Sequence, residues 1–129
     1  MKSKNLVRRT VLIADDDNDN RALLAFLLEQ EGWEVKQAKD GKEALENVFQ
    51  EQPDLLILDH RMPEFTGTEV YQHLQTRGIS LTIVLVTAYG YLEELSSSLG
   101  ISYFVSKPFD IPNLLNIIES AYKKSLEPV

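Results

Sequence analysis

Short apolar runs in this 129-residue chain end in side chains that could do chemistry. Asp15 and Asp16 follow one run, and Asp59 follows another that is apolar throughout, as expected of a strand buried on both faces. Thr87 and Lys107 end two later runs. The carboxyl ends of parallel strands meet at one edge of a sheet, and neighbouring strands lie about 4.8 Å apart. We therefore expect these five side chains to converge on one pocket.

Three carboxylates in one pocket repel one another and would raise each other's pKa values. A divalent cation relieves that repulsion, and carboxylate and carbonyl oxygens favour Mg²⁺. A lysine ammonium and a threonine hydroxyl across the same pocket would give a phosphoryl group a point charge and a hydrogen-bond donor. Asp59 then has the position of a carboxylate nucleophile that forms an acyl phosphate. A lone Asp at a strand end is more often a helix cap or turn residue, so the prediction depends on all five residues occurring together.

The elements that must position these residues alternate between strand and helix patterns. Strands are predicted at 10–14, 33–38, 55–58, 81–86 and 103–106, the second of them at an edge of the sheet. Helical spacing follows each strand, including a short helix over 92–99 and a last helix that Asp110 can cap. Strict alternation predicts an α/β fold in which a parallel sheet carries helices on both faces, joined by right-handed crossovers.

Three local expectations accompany this pattern. Asn18 or Asp19 is expected to cap the first helix. Apolar residues recur at helical spacing along this helix and are expected on its apolar face: Leu23, Phe26 and Leu27, with Leu24 and Leu28 alongside. Gly67 is expected to permit an unusual backbone angle in the loop after Asp59.

Composition excludes several kinds of function. The length and the hydrophobic fraction of 43% suit one compact domain, expected over 1–129 with a core of about 6–122. The absence of cysteine removes disulfides, thiolate metal sites and cysteine nucleophiles, and fits a cytoplasmic protein. A formal net charge of −7 argues against direct nucleic-acid binding. No apolar run approaches membrane-spanning length, and no signal peptide is evident.

Four motifs in this order resemble the receiver domain of response regulators in two-component signalling, a CheY-like family. The motifs are Leu12–Asp17, Leu58–Pro63, Val86–Gly90 and Lys107–Phe109. The resemblance covers about residues 6–122. It implies the flavodoxin-like (βα)5 three-layer sandwich, with a five-stranded parallel sheet in the order 2-1-3-4-5.

The resemblance also implies a metal and phosphoacceptor site. Asp59 would be the phosphoacceptor. Asp16, Asp59 and the backbone carbonyl of Arg61 would ligate Mg²⁺, and Asp15 would act through a water or as a supporting carboxylate.

Further residues would serve the phosphoryl group and the response to it. Thr87 and the backbone N–H of Ala88 would hydrogen-bond the phosphoryl oxygens, and Lys107 would pair with them. Phe104 matches the family's switch aromatic, so Thr87 and Phe104 would move together on phosphorylation. The peptide bond before Pro108 is expected to be cis.

The chain departs from the family pattern at a few positions. His60 follows the acceptor where an apolar residue is usual, and Phe65 replaces a common methionine. Phe104 lacks the hydroxyl of the commoner tyrosine, so a switch there must work by packing. The separation of 20 residues between Thr87 and Lys107 is about two shorter than the family's usual spacing, which constrains the helix predicted over 92–99.

By this resemblance the chain is a phosphoacceptor regulator, a signalling module whose enzymatic activity is limited to self-phosphorylation and autodephosphorylation. Its partners would be a sensor histidine kinase or histidine phosphotransfer protein, docking around 18–25 and 108–111, and a downstream protein target. It would be a monomer or weak dimer, and its ends favour a stand-alone regulator.

Two alternatives stay open. The chain could be the receiver of a larger regulator with a DNA-binding output. It could also be a Mg²⁺-dependent phosphohydrolase with an aspartyl-phosphate intermediate, since 15–17 has the Asp-x-Asp spacing of such enzymes. Those enzymes carry the nucleophile on the first strand, whereas here the isolated Asp59 follows the third, which favours the receiver.

Overall fold

A computed structural model describes residues 8–88, 101 and 103–127. The strands are β1 (Thr10–Ala14), β2 (Glu34–Ala38), β3 (Leu55–Asp59), β4 (Thr82–Ala88) and β5 (Tyr103–Lys107). The helices within the described ranges are α1 (Asn18–Gln30), α2 (Gly41–Gln50), α3 (Gly67–Thr76) and α4 (Ile111–Ser125). The helix predicted over 92–99 lies outside the described residues. None of the helices in the described ranges has the length and apolar character needed to cross a lipid bilayer.

The five strands form one parallel sheet in the order β2-β1-β3-β4-β5. All five residues of β3 are buried at the centre of the sheet, whereas β2 is mostly exposed at one edge. This is the predicted flavodoxin-like order. β1 has the predicted bounds, the ends of the other strands differ from the predicted ones by at most two residues, and β4 continues through Thr87 to Ala88.

Side chains alternate across the strands into two separate cores. On one face, residues such as Leu12 and Leu56 pack with α2 and α3; on the other, residues such as Val11 and Ile57 pack with α1 and α4. A fully buried strand must present apolar side chains to both layers, which explains the unbroken apolar run before Asp59. The fold is therefore a three-layer sandwich.

The first helix begins one residue earlier than the sequence pattern predicts. Asp17, not Asn18 or Asp19, is the N-cap: its backbone is extended and its carboxylate accepts from the N–H groups of Asp19 and Asn20. Asp17 thereby satisfies two of the N–H groups that the first turn of α1 leaves without an intrahelical partner. The cap predicted for the last helix is confirmed, since Asp110 accepts from the Asn113 N–H at 2.7 Å.

The expected apolar face of α1 is wrong in part. Leu23 and Phe26 are 52% and 57% exposed, whereas Leu28 is buried as expected and Ala25 is buried beside it. Apolar residues occur around most of this helix, so their spacing does not fix which face meets the sheet. Rotation is set by packing on β1 and on the fully buried Trp33.

A cluster at the amino ends of the strands fastens the last helix to the first strand. The Arg9 guanidinium lies 4.3 Å from the centre of the Trp33 ring and 5.5 Å from that of Tyr122. It also forms an ion pair with Glu119 at 2.8 Å and donates to the Glu31 carbonyl at 2.8 Å. Four contacts from one side chain thus join β1, the end of α1 and α4.

Candidate functional site

The register of the sheet brings the predicted site residues to one edge. Ala14, the last residue of β1, pairs with Leu58 of β3, so Asp15 and Asp59 follow as neighbours at the carboxyl ends of adjacent strands. Thr87 lies one residue beyond the β4 partner of Asp59, and Ala88 pairs with Lys107 of β5. Residues from four strands therefore converge, although up to 92 positions separate Asp15 from Lys107 in sequence.

Three carboxylates form the acidic part of this edge. Asp15, Asp16 and Asp59 each offer an oxygen, and these oxygens all lie within 4.8 Å of one another. Asp59 is 5% exposed, Asp15 is half-buried and Asp16 is exposed. An all-oxygen donor set of this kind, open to water on one side, fits Mg²⁺, which keeps several of its waters.

Crowding of these carboxylates changes the titration of Asp15. Burial raises the pKa of Asp15 above its ordinary value, and the nearby Asp59 carboxylate raises it further. The N–H of Asp17, which donates to Asp15 Oδ1 at 2.9 Å, and the Lys107 ammonium only partly oppose this rise in pKa. A cation bound among the three carboxylates would stabilise the charged form of Asp15.

Lys107 compensates the buried carboxylate of Asp59. Its Nζ lies 3.0 Å from Asp59 Oδ2. Partial burial disfavours the ammonium, but the hydrogen bond and charge of Asp59, with the charges of Asp15 and Asp16, raise the pKa of Lys107 above its ordinary value. Lys107 therefore stays protonated at neutral pH.

Thr87 carries a buried hydroxyl near the carboxyl end of β4. The residue is 2% exposed, and its Oγ1 has no hydrogen-bond partner within the described part of the chain. An unsatisfied buried hydroxyl costs about 1–3 kcal/mol. Thr87 lies two residues after Leu85 on β4 and therefore on the same face of the strand. Leu85 belongs to the core cluster that Phe104 packs against. Thr87 and Phe104 thus belong to the same face of neighbouring strands.

The loop after β3 is shaped differently from the sequence expectation. The residue with a positive φ is Glu64, at 73°, and Gly67 instead provides close packing. A Cβ at Gly67 would lie 2.8 Å from His60 Cα and 2.9 Å from the Asp59 carbonyl oxygen, and the Gly67 N–H donates to the His60 carbonyl at 2.8 Å. A hydrogen atom is needed at Gly67 because the backbone of β3 passes directly behind it.

An open depression and an apolar cleft adjoin the carboxylates. Arg61 is exposed, and its backbone N–H donates to Asp59 Oδ1 at 3.4 Å. The peptide bond between Lys107 and Pro108 is cis. The depression is lined by Asp16, Asp17, Asp59, Arg61, Met62, Pro63 and Lys107. The cleft runs between α1 and the segment after β5, and its lining includes Asp15, Leu23, Leu24, Asp59, Phe109 and Ile111.

Sequence reasoning missed one residue beside the carboxylates. Arg21 on α1 donates from Nη1 to the backbone carbonyl of Asp15 at 2.6 Å. Nη2 donates to Asn18 Oδ1 at 2.6 Å, and Nε donates to Gln37 Oε1 at 3.2 Å. The available signal was a cationic side chain one turn after the Asp17 cap, on a helix otherwise rich in apolar residues.

The fold and this edge together define a class: a doubly wound α/β domain with an acidic site at the carboxyl ends of its central strands. Residues 11–119 match the family model of the response regulator receiver domain. The chain therefore belongs to the response regulator receiver family of two-component systems. Domains of this family are signalling modules rather than classical enzymes and usually bind Mg²⁺ at an acidic pocket.

Similar proteins include relatives of this length and longer ones. Sporulation initiation phosphotransferase F of Bacillus subtilis is 32% identical over 116 residues, covering 88% of this chain and 94% of the relative. Response regulator MprA of Mycobacterium leprae is 36% identical over 117 residues, covering 89% of this chain but 51% of the relative. The receiver domain of the Francisella response regulator 1452 superposes with a TM-score of 0.82 at 28% identity, covering 92% of this chain and 99% of that one.

Proposed function

We propose that this receiver takes a phosphoryl group onto Asp59 and passes the signal on by a change of shape. The observation that carries the proposal is the setting of Asp59. Its carboxylate is buried at the end of the central strand, lies among two other carboxylates and pairs with Lys107 at 3.0 Å. A buried carboxylate with an ammonium already in position suits the acceptor of a phosphoryl group.

Asp16 and Asp59, with the Arg61 backbone carbonyl, would hold Mg²⁺, and Asp15 would act through a water. The bound ion would neutralise charge on the phosphoryl oxygens during transfer. Asp59, the buried member of the cluster, would both help to hold the ion and accept the phosphoryl group. The exposed position of Asp16 suits a ligand that still shares the ion with solvent.

In the transfer step, an oxygen of Asp59 attacks the phosphorus of a phosphohistidine. A P–O bond forms, the P–N bond breaks, and its electron pair stays on the imidazole nitrogen of the donor. Lys107, which holds the free carboxylate, would follow the new charge onto the phosphoryl oxygens. The Thr87 hydroxyl and the Ala88 N–H would donate to those oxygens.

The response would be carried by Thr87 and Phe104. A phosphoryl group gives the buried Thr87 hydroxyl the acceptor that it lacks among the described residues. Movement of Thr87 toward that acceptor vacates space on the face that it shares with Phe104. The Phe104 ring would then repack, so that the downstream protein target meets a changed surface near β5.

The phosphodonor would dock on α1 and the segment that follows β5. The exposed side chains of Leu23 and Phe26 give α1 an apolar outer surface. The cleft between this helix and residues Phe109 and Ile111 leads to Asp59. A histidine kinase or histidine phosphotransfer protein bound there would bring its phosphohistidine to the acceptor.

Phosphorylation by a small donor tests the acceptor directly. Acetyl phosphate with Mg²⁺ should add one phosphoryl group to the chain, seen by intact-mass spectrometry, and Asp59→Ala should abolish it. Asp19→Ala, which changes an exposed carboxylate on α1, is the control and should label normally. Labelling that persists in Asp59→Ala would rule out Asp59 as the acceptor.

A further inference from the structure

We infer that Arg21 is a positioning residue for the metal site: it fixes the backbone that carries Asp15 and Asp16. The inference rests on the proposed Mg²⁺ site and adds a residue to its support. Arg21 touches none of the proposed ligand atoms. Its contact is with the carbonyl oxygen of Asp15, at 2.6 Å, and not with a carboxylate.

The loop from Asp15 to Asp17 is held at both ends. The Asp15 N–H donates to the Ala38 carbonyl at 3.1 Å, and its carbonyl accepts from Arg21. Asp17 is fixed by capping α1. Asp16 lies between these anchors with an exposed side chain. The direction of its carboxylate therefore depends on the peptide groups on either side.

Arg21 is itself braced. Its Nη2 donates to Asn18 Oδ1, within the first turn of α1, and its Nε donates to Gln37 Oε1 near the end of β2. The planar guanidinium thus joins helix, loop and neighbouring strand with three donors in one rigid fork. A lysine could make one of these contacts but not all three.

Charge and positioning predict opposite effects of the loss of Arg21 on the affinity for Mg²⁺. Removal of a cation beside three carboxylates would, by charge alone, tighten the binding of another cation. Loss of positioning would loosen Asp16 and weaken Mg²⁺ binding. Groups that orient metal ligands typically contribute about 10–100-fold to metal affinity. We expect Arg21→Ala to raise the Kd for Mg²⁺ about 10-fold, against the direction set by charge.

The test is calorimetric titration of the full chain with Mg²⁺. Arg21→Ala should bind about 10-fold more weakly, Arg21→Lys should fall between it and the wild type, and Gln37→Ala should show a smaller loss. Arg77→Ala is the matched control: Arg77 lies 4.6 Å from the Phe49 ring, away from the carboxylates, and its loss should leave the Kd unchanged.

A second readout separates positioning from general damage to the fold. With acetyl phosphate, Arg21→Ala should need about 10-fold more Mg²⁺ for half-maximal labelling while reaching the wild-type rate at saturation. If Arg21→Ala does not fold, the Lys and Gln37 variants carry the same comparison. Equal or tighter binding by the Arg21 variants overturns the inference, whereas failure of the wild type to bind Mg²⁺ overturns the proposed metal site and the inference with it.

Discussion

In the absence of a cation, the acidic site disfavours the charged form of the Asp15 carboxyl group. Its pKa lies above the ordinary value of 3.8 because of burial and the Asp59 charge. The folded chain therefore holds the Asp15 proton more tightly than the unfolded chain. That contribution to stability is complete below pH 3.8 and is lost as the pH rises through the raised pKa.

Asp15→Asn should therefore stabilise the metal-free protein at neutral pH. The amide oxygen can still accept from the Asp17 N–H, but no charge is buried. In EDTA, the urea midpoint of the variant should exceed that of the wild type at pH 7, and the gap should close as the pH falls through the raised pKa. Glu46→Gln, which changes an exposed side chain on α2, is the control and should leave the urea midpoint unchanged both at pH 7 and at lower pH. A difference in midpoint between Asp15→Asn and the wild type that does not depend on pH would contradict this account.

At the scale of single residues, the sequence predicted the residues of the candidate site better than it predicted the residue that positions them. Asp15, Asp16, Asp59, Thr87 and Lys107 could be chosen because each ends an apolar run. Arg21 could not be chosen, since an arginine on a helix usually faces solvent, and its contact with a backbone carbonyl depends on how α1 is rotated. The roles proposed for the predicted residues stay predictions until the variants are measured.

Among the elements, the loop between β3 and α3 has little room for a larger side chain at Gly67. The His60 Cα, the Asp59 carbonyl and a Leu85 methyl group would all lie within 3.0 Å of a Cβ at Gly67. Two of these atoms are backbone and cannot swing aside. The glycine was singled out from sequence as a source of unusual φ, but its function is to let α3 start against the strand that carries the acceptor.

Gly67→Ala should cost about 1–3 kcal/mol of unfolding free energy by overpacking, measured in urea. It should also slow labelling by acetyl phosphate, because the Asp59 backbone must move. Gly78→Ala is the matched comparison: its φ of 70° makes alanine cost about 1 kcal/mol, but nothing lies within 4 Å of the added Cβ. Equal labelling rates in the two variants would argue against a displaced acceptor.

The outer face of α1 is the element expected to select the donor. Phe26→Ala removes an exposed ring, so the free energy of unfolding should change by less than about 0.5 kcal/mol. Transfer from a phosphorylated histidine kinase that labels the wild type should slow about 10-fold, as for loss of an aromatic anchor. Labelling by acetyl phosphate should be unchanged. Phe49→Ala, an exposed ring on α2, should leave both rates unchanged, and equal slowing in both variants would remove α1 from the proposal.

For the whole molecule, alternation of patterns was enough to predict a parallel sheet between two layers of helices, whereas the order of the strands was predicted from the family resemblance. Each buried strand must show apolar residues to both helix layers, and crossovers of one hand leave few arrangements. The rotation of α1 and the shape of the loop after β3 were not predictable, because they depend on packing between residues distant in sequence.

Mg²⁺ should stabilise the whole fold, because the three carboxylates meet only in the native chain. At a concentration 100 times the Kd, the gain should be about 2.7 kcal/mol, seen as a higher urea midpoint than in EDTA at matched ionic strength. Asp16→Asn should lose most of this gain. A gain of the same size in that variant would mean that the ion acts elsewhere.

The single tryptophan of the chain lies at the opposite end of the sheet from the carboxylates, about 16 Å away along a five-residue strand. Trp33 packs against Arg9 and Tyr122. Tyr122 lies on α4, and Arg9 forms an ion pair with Glu119 of the same helix. The fluorescence of Trp33 should therefore report on how α4 packs against the rest of the domain. Because Trp33 lies far from the carboxylates, we expect Mg²⁺ binding alone to leave that emission unchanged, so a spectral change on phosphorylation would mark a structural change that has crossed the domain.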